Sequence, residues 1–133
     1  MVSIDGVAHI GIRVVDSVRS EAFFRLLGFE AVWRGGPPDN VIILKNQSGV
    51  EINLIVNAVT PPEDKNVLMD VPEKHPGYTH VALRVRSIEE TVADLGRAGI
   101  PLSGGPMQLG PGRSLFIRDP DRNVIELRQE DGA

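Results

Sequence analysis

Two histidines and two glutamates define the chemistry this chain could perform. His9 lies in Val7-Ala8-His9-Ile10-Gly11-Ile12-Arg13-Val14, and His80 in Tyr78-Thr79-His80-Val81-Ala82-Leu83-Arg84-Val85. The shift that carries His9 onto His80 also carries Arg13 onto Arg84, Phe24 onto Leu95 and Gly28 onto Gly99. A strand, a helix and its glycine terminus therefore recur in register, which makes the chain an internal repeat of one supersecondary unit. Glu51 sits between Val50 and Ile52, and Glu126 between Ile125 and Leu127. Matching these two takes a somewhat longer shift. Each half thus sets one carboxylate in an otherwise apolar run, at a cost on the order of several kcal/mol unless it meets a cation. Neutral imidazoles with anionic oxygens are what a borderline divalent cation binds, with room left for water or substrate.

Taken singly, a strand histidine is a hydrogen-bonded structural residue and a strand glutamate faces solvent. Symmetry argues otherwise here, because the chain has 3 histidines and two of them fall at matching places. His75, the third, lies in a proline-rich stretch and reads as a surface residue.

The elements that must position these groups follow from pattern. Val7 to Val15 alternates as a strand, with Ile10, Ile12 and Val14 on one face and His9, Gly11, Arg13 and Val15 on the other. Asp16 or Ser17 caps a helix to about Leu27, with Gly28 as a left-handed terminus. Phe29 to Arg34, Val41 to Lys45 and Val50 to Val56 read as strands, the last two joined by the hairpin signal Asn46-Gln47-Ser48-Gly49, and 35–40 reads as a loop. From Asn57 to Gly77 the chain is too rich in proline for a central strand, and Leu68 and Met69 are the residues expected to pin this connection down. The second half predicts a strand from Tyr78 to Arg86, a helix from Ser87 to Ala98 opened by the capping box Ser87–Glu90, and strands near Ile100, over Ser114 to Arg118 and over Val124 to Arg128. The segment from Ser103 to Gly112 reads as a glycine-rich loop, and Arg118 to Asn123 as a tight hairpin turn. The chain is then one domain of two modules, 1–57 and 78–133, joined by 58–77.

Composition narrows the function classes. A net charge of −4 with scattered Lys and Arg gives no basic footprint, which argues against a nucleic-acid partner. Without cysteine there is no disulfide framework, thiolate metal site or cysteine nucleophile, and a reducing cytoplasm is the expected setting. No stretch approaches the roughly 20 apolar residues that cross a bilayer as a helix.

Several motifs together resemble the vicinal oxygen chelate superfamily of glyoxalases, bleomycin-resistance proteins and extradiol dioxygenases, with the glyoxalase I-like members closest. They are His9-Ile10-Gly11-Ile12-Arg13-Val14, the run from Arg19 to Phe29, Gly49-Val50-Glu51-Ile52, Thr79-His80-Val81-Ala82, and the run from Arg118 to Leu127. The resemblance covers nearly the whole chain. It implies an α+β fold of two βαβββ modules, whose curved mixed sheets form a metal-binding cup, and a homodimer whose sites are shared between chains. It also implies one divalent metal per site on His9, Glu51, His80 and Glu126, with Ni, Co or Zn favoured and Fe or Mn compatible. By the same analogy the activity is that of a lyase or isomerase acting on a small carbonyl or hemithioacetal through an enediolate. Glu126 is the first choice for proton transfer, Glu51 the second, and Arg13 is placed at the substrate carboxylate.

Two features depart from the family pattern. The helix motif Phe23-Phe24-Arg25-Leu26-Leu27-Gly28 is one residue short and lacks the family's tyrosine, and neither glycine-rich loop nor proline-rich connection matches a glutathione pocket. Other members set the alternatives. Extradiol dioxygenases would use His9, His80 and Glu126 for iron, coenzyme A thioester epimerases share the proton abstraction, and resistance-type members bind a small molecule without chemistry.

Overall fold

The computed structural model describes residues 1–36, 40–61 and 63–132, and the chain divides into two compact units, Met1–Pro61 and Pro62–Ala133. Each is a βαβββ module with a four-stranded mixed sheet. The first contains β1 (Ile10–Val14), α1 (Ser17–Leu26), β2 (Glu30–Arg34), β3 (Val41–Lys45) and β4 (Glu51–Val56), with strand order β1-β4-β3-β2. The second contains β5 (His80–Arg84), α2 (Ile88–Ala98), β6 (Gly104–Gln108), β7 (Gly112–Arg118) and β8 (Val124–Glu130), in the order β5-β8-β7-β6. In each sheet the first strand pairs in parallel with the last, and the other pairings are antiparallel.

Alternation divides every strand between a core face and an open face. Ile12, Val14, Ile42, Leu44, Ile52 and Leu54 form the buried face of the first sheet; Leu115, Ile117, Ile125 and Leu127 form that of the second. Burying each such side chain contributes about 1.5–3 kcal/mol, which fixes register, because a one-residue slip would turn the whole set outward.

The helices begin and end as local chemistry dictates. Asp16 Oδ1 accepts from the backbone N–H groups of Val18 (2.9 Å) and Arg19 (3.1 Å), and Ser87 Oγ accepts from Glu90 N–H (3.1 Å). Both helices close the same way. Gly28 and Gly99 take positive φ; Phe29 N–H then donates to Phe24 O (3.0 Å) and Ile100 N–H to Leu95 O (2.9 Å). These bonds with their apolar pairs make Schellman ends, and in the first the Phe24 and Phe29 rings meet edge-on at 6.1 Å. Ile100 and Phe29 are therefore helix plugs. The strand expected near Ile100 is absent, and the strand expected from Phe29 begins at Glu30.

The segment expected to be a loop from Ser103 to Gly112 is instead largely β6 and the turn into β7. Pro106 is tolerated because β6 is an edge strand and the pairing shifts register between Gly104 and Met107. Gly105, at φ +75°, passes so close to β7 that a Cβ there would lie 2.6 Å from Ser114 O. Glycine here marks close strand approach, which composition alone reads as a loop.

The connection is held mainly by polar bonds. Asp70 accepts from Arg118 Nη1 and Nη2, both at 2.8 Å, and Asn66 Nδ2 donates to Arg122 O at 3.3 Å. Leu68 lies against Gly77, whereas Met69 is exposed. The Arg118 guanidinium pulls the Asp70 carboxyl down to about 2 from 3.8. A carboxyl lowered on folding stabilises fully above its unfolded value and loses that contribution as pH falls through the folded one. Asp70→Asn is expected to lower the unfolding midpoint by a few degrees at neutral pH, with the gap to the parent narrowing from about pH 4 toward pH 2. Thermal melts across that range check it, and a gap independent of pH would rule the contribution out. No helix among the described residues is long and apolar enough to cross a membrane.

Candidate functional site

The second half brings His80 and Glu126 together. His80 opens β5 and lies opposite Val124, while Glu126 lies opposite Ala82 on β5 and Phe116 on β7, so all five share the open face. His80 Nε2 is 3.0 Å from Glu126 Oε1, and Thr79 Oγ1 is 2.8 Å from His80 Nδ1. The other carboxylate oxygen, Oε2, accepts from Ser114 Oγ at 2.7 Å. Ser114 can donate there because its oxygen already accepts from Arg128 Nη1 at 3.1 Å. The buried carboxylate thus keeps one oxygen held and one turned to the imidazole. Gly112 makes room for this relay, since a Cβ there would come within 2.7 Å of the Arg128 guanidinium.

In the first half His9 immediately precedes β1 and Glu51 begins β4. His9 Nδ1 is 3.6 Å from Glu51 Oε2, and Lys45 Nζ, directly across the β3–β4 ladder, is 3.7 Å from Glu51 Oε1. Both the histidine (48% exposed) and the glutamate (21%) are more open than their second-half counterparts at 33% and 10%. Arg13 lies on the His9 face of β1, and its Nε donates to Asn57 Oδ1 at 2.8 Å. His75 is exposed and 3.9 Å from Glu73.

The register also brings forward Asn53. Ile10 pairs with Ile52 and His80 with Val124. If His9 corresponds to His80, Glu51 falls at the place of Val124 and Asn53 at that of Glu126. The row Trp33–Ile43–Asn53–Gly11 crosses the first sheet as Gly104–Phe116–Glu126–Ala82 crosses the second. Asn53 Oδ1 is buried without a hydrogen-bond partner, and an orphaned acceptor costs about 1–3 kcal/mol. Strand alternation sets Asn53 on the face of Glu51, a polar residue between Ile52 and Leu54, but a comparison of carboxylates alone does not single it out.

The donor types on both open faces fit a borderline divalent cation, with one imidazole and one carboxylate in reach of each other in each half. Among the described residues no three of His, Cys, Asp and Glu gather closely enough to hold an ion.

The sequence pattern of the glyoxalase/bleomycin resistance protein/dioxygenase superfamily matches residues 6–127. The chain belongs to this superfamily. Solved structures similar to it include a glyoxylase/bleomycin resistance protein/dioxygenase domain from Frankia sp. EAN1pec, at 23% identity and TM-score 0.78, covering 98% of this chain and 96% of that one. The fosfomycin resistance protein FosX of Listeria monocytogenes is similar at 21% identity and TM-score 0.68, covering 98% and 97%. TnmS3, an antibiotic binding protein from Streptomyces sp. CB03234, is similar at 21% identity and TM-score 0.73, covering 98% and 100%. At these identities the likeness establishes the shared superfamily fold alone. No curated protein sequence matches the chain significantly. The superfamily contains both enzymes and binding proteins, so the choice between them rests on this chain's own residues.

Proposed function

We propose that this protein is a metal-dependent lyase or isomerase of the glyoxalase type, which removes a proton next to the carbonyl of a small molecule such as a hemithioacetal. The observation that carries the reading is the His80–Glu126 contact at 3.0 Å, with Ser114 fixing the second carboxylate oxygen. His9, His80 and Glu126 are the donors on which it stands, and Glu51 is the fourth that the family resemblance implies. A bound divalent ion, with Ni, Co or Zn favoured, would supply Lewis-acid polarisation of the substrate oxygens. Glu126 is the base: its Oε1 is the oxygen free of Ser114, and a positioned carboxylate takes the proton at a carbon already acidified by the polarised carbonyl. Glu51 is the second choice for that role. Arg13, on the His9 face of β1, would meet an anionic group of the substrate.

Elemental analysis of protein purified without chelators or a histidine tag tests the reading, beside His80→Ala and Glu126→Ala. Near-stoichiometric metal in the parent, lost in both variants, is the expected result. Nickel, cobalt or zinc would direct assays to hemithioacetals and thioesters, and iron to catechols with oxygen. A parent that stays empty after incubation with each ion sinks the enzyme reading. A second reading, small-molecule sequestration, would then stand, and the apolar cross-strand pair of Trp33 and Ile43 on the first sheet's open face favours it.

A further inference from the structure

We infer that Asn53, not Glu51, is the first half's ligand-facing counterpart of Glu126, and that Glu51 serves as the counter-ion of Lys45. The inference rests on the metal reading above only for its binding arm.

Three observations carry it. Sheet register is a property of the backbone ladder, and with His9 set on His80 it aligns Asn53 with Glu126 and Glu51 with Val124. Each of the two aligned residues stands between a small residue on the first strand, Gly11 or Ala82, and a bulky apolar one on the third, Ile43 or Phe116. Next, the basic residues of the preceding row also align, Lys45 opposite Glu51 and Arg118 opposite Val124. Arg118 takes its carboxylate from Asp70 at 2.8 Å, because Val124 offers none; Lys45 takes Glu51 at 3.7 Å. Glu51 therefore has a local structural reason to be acidic. Finally, Asn53 Oδ1 is a buried acceptor without a hydrogen-bond partner. A buried acceptor of this kind calls for a partner beyond the chain's own groups, such as an ordered water or an ion.

The donor set then holds one carboxylate where the family resemblance implies two, and a neutral amide oxygen takes the other place. An amide oxygen is a weaker donor than a carboxylate and cannot accept a proton at neutral pH, which leaves Glu126 as the one carboxylate in the donor set, with Glu51 engaged by Lys45.

The test compares Glu51→Gln, Asn53→Glu and Asn53→Leu with the parent, reading both metal content after incubation with Zn, Ni or Co and the unfolding midpoint of metal-free protein. Glu51→Gln is expected to keep parental metal content. Asn53→Glu is expected to bind the ion at least about tenfold more tightly, as a second carboxylate joins the donors. Asn53→Leu is expected to hold or raise the metal-free midpoint, since it removes an unpaired buried acceptor. Loss of metal in Glu51→Gln would overturn the assignment. So would a midpoint for Asn53→Leu several degrees below the parent, which would make the amide structural. If no protein binds metal, the metal reading falls, and the midpoint of Asn53→Leu still decides whether Asn53 is held for a ligand.

Discussion

Replacing Glu126 by glutamine is expected to reduce turnover of a hemithioacetal substrate by about 10²–10⁴-fold, the range a positioned general base contributes. The glutamine keeps the shape and can still accept from Ser114 Oγ, so the fold should persist while the proton acceptor is gone. The readout is exchange of the carbon-bound proton with deuterated solvent, followed by NMR in parent and variant. Ser114→Ala gives a comparison, because Ser114 positions the base through a 2.7 Å bond to Oε2 without reaching the reacting carbon. Its loss is expected to be nearer 10–100-fold, the usual effect of a supporting partner, and to fall on kcat with KM held. Exchange undiminished in Glu126→Gln would remove Glu126 from the chemistry.

The largest expected effect on stability is at Phe24. This ring is fully buried and meets Phe23 edge-on at 5.2 Å and Phe29 at 6.1 Å. Its backbone oxygen also accepts the N–H of Phe29 that closes the helix. Phe24→Ala removes the ring and leaves a cavity at the joint between α1 and β2, at about 3–5 kcal/mol. At roughly 4 °C per kcal/mol for a chain of this size, the midpoint should fall by about 12–20 °C. Differential scanning calorimetry measures it; a drop below about 4 °C would mean that the site collapses around the missing ring.

Much of this was legible in the chain. The strand Val41 to Lys45 runs as its alternation predicts, and the helix starts at Asp16 and Ser87 follow from their capping oxygens. These signals are local, set within a few residues by sterics and hydrogen bonding. The missed strand β6 depends on a non-local fact: Gly104 to Gln108 contains two glycines and a proline, and only β7 beside it makes them a strand. Ile100 and Phe29 read as strand residues in the sequence because apolar character cannot distinguish a helix plug from a strand residue. The chemistry was legible in part. His80 and Glu126 stand out by residue type, but Ser114, Arg128 and Thr79 are ordinary in the sequence and gain meaning only from cross-strand neighbours. The match of Glu51 with Glu126 rested on residue type, and the ladder, which counts backbone positions, sets Asn53 there.

The row that carries Asn53 begins with Trp33, and this is the one tryptophan in the chain, 53% exposed with its ring against Gly35. Its emission therefore comes from a single place, on the open face of the first sheet and directly opposite Ile43 on β3. The molecule carries its own optical reporter there, without any label. Whatever settles on that face changes the polarity around one indole, and a fluorescence titration follows the event without knowledge of what reaction, if any, comes after.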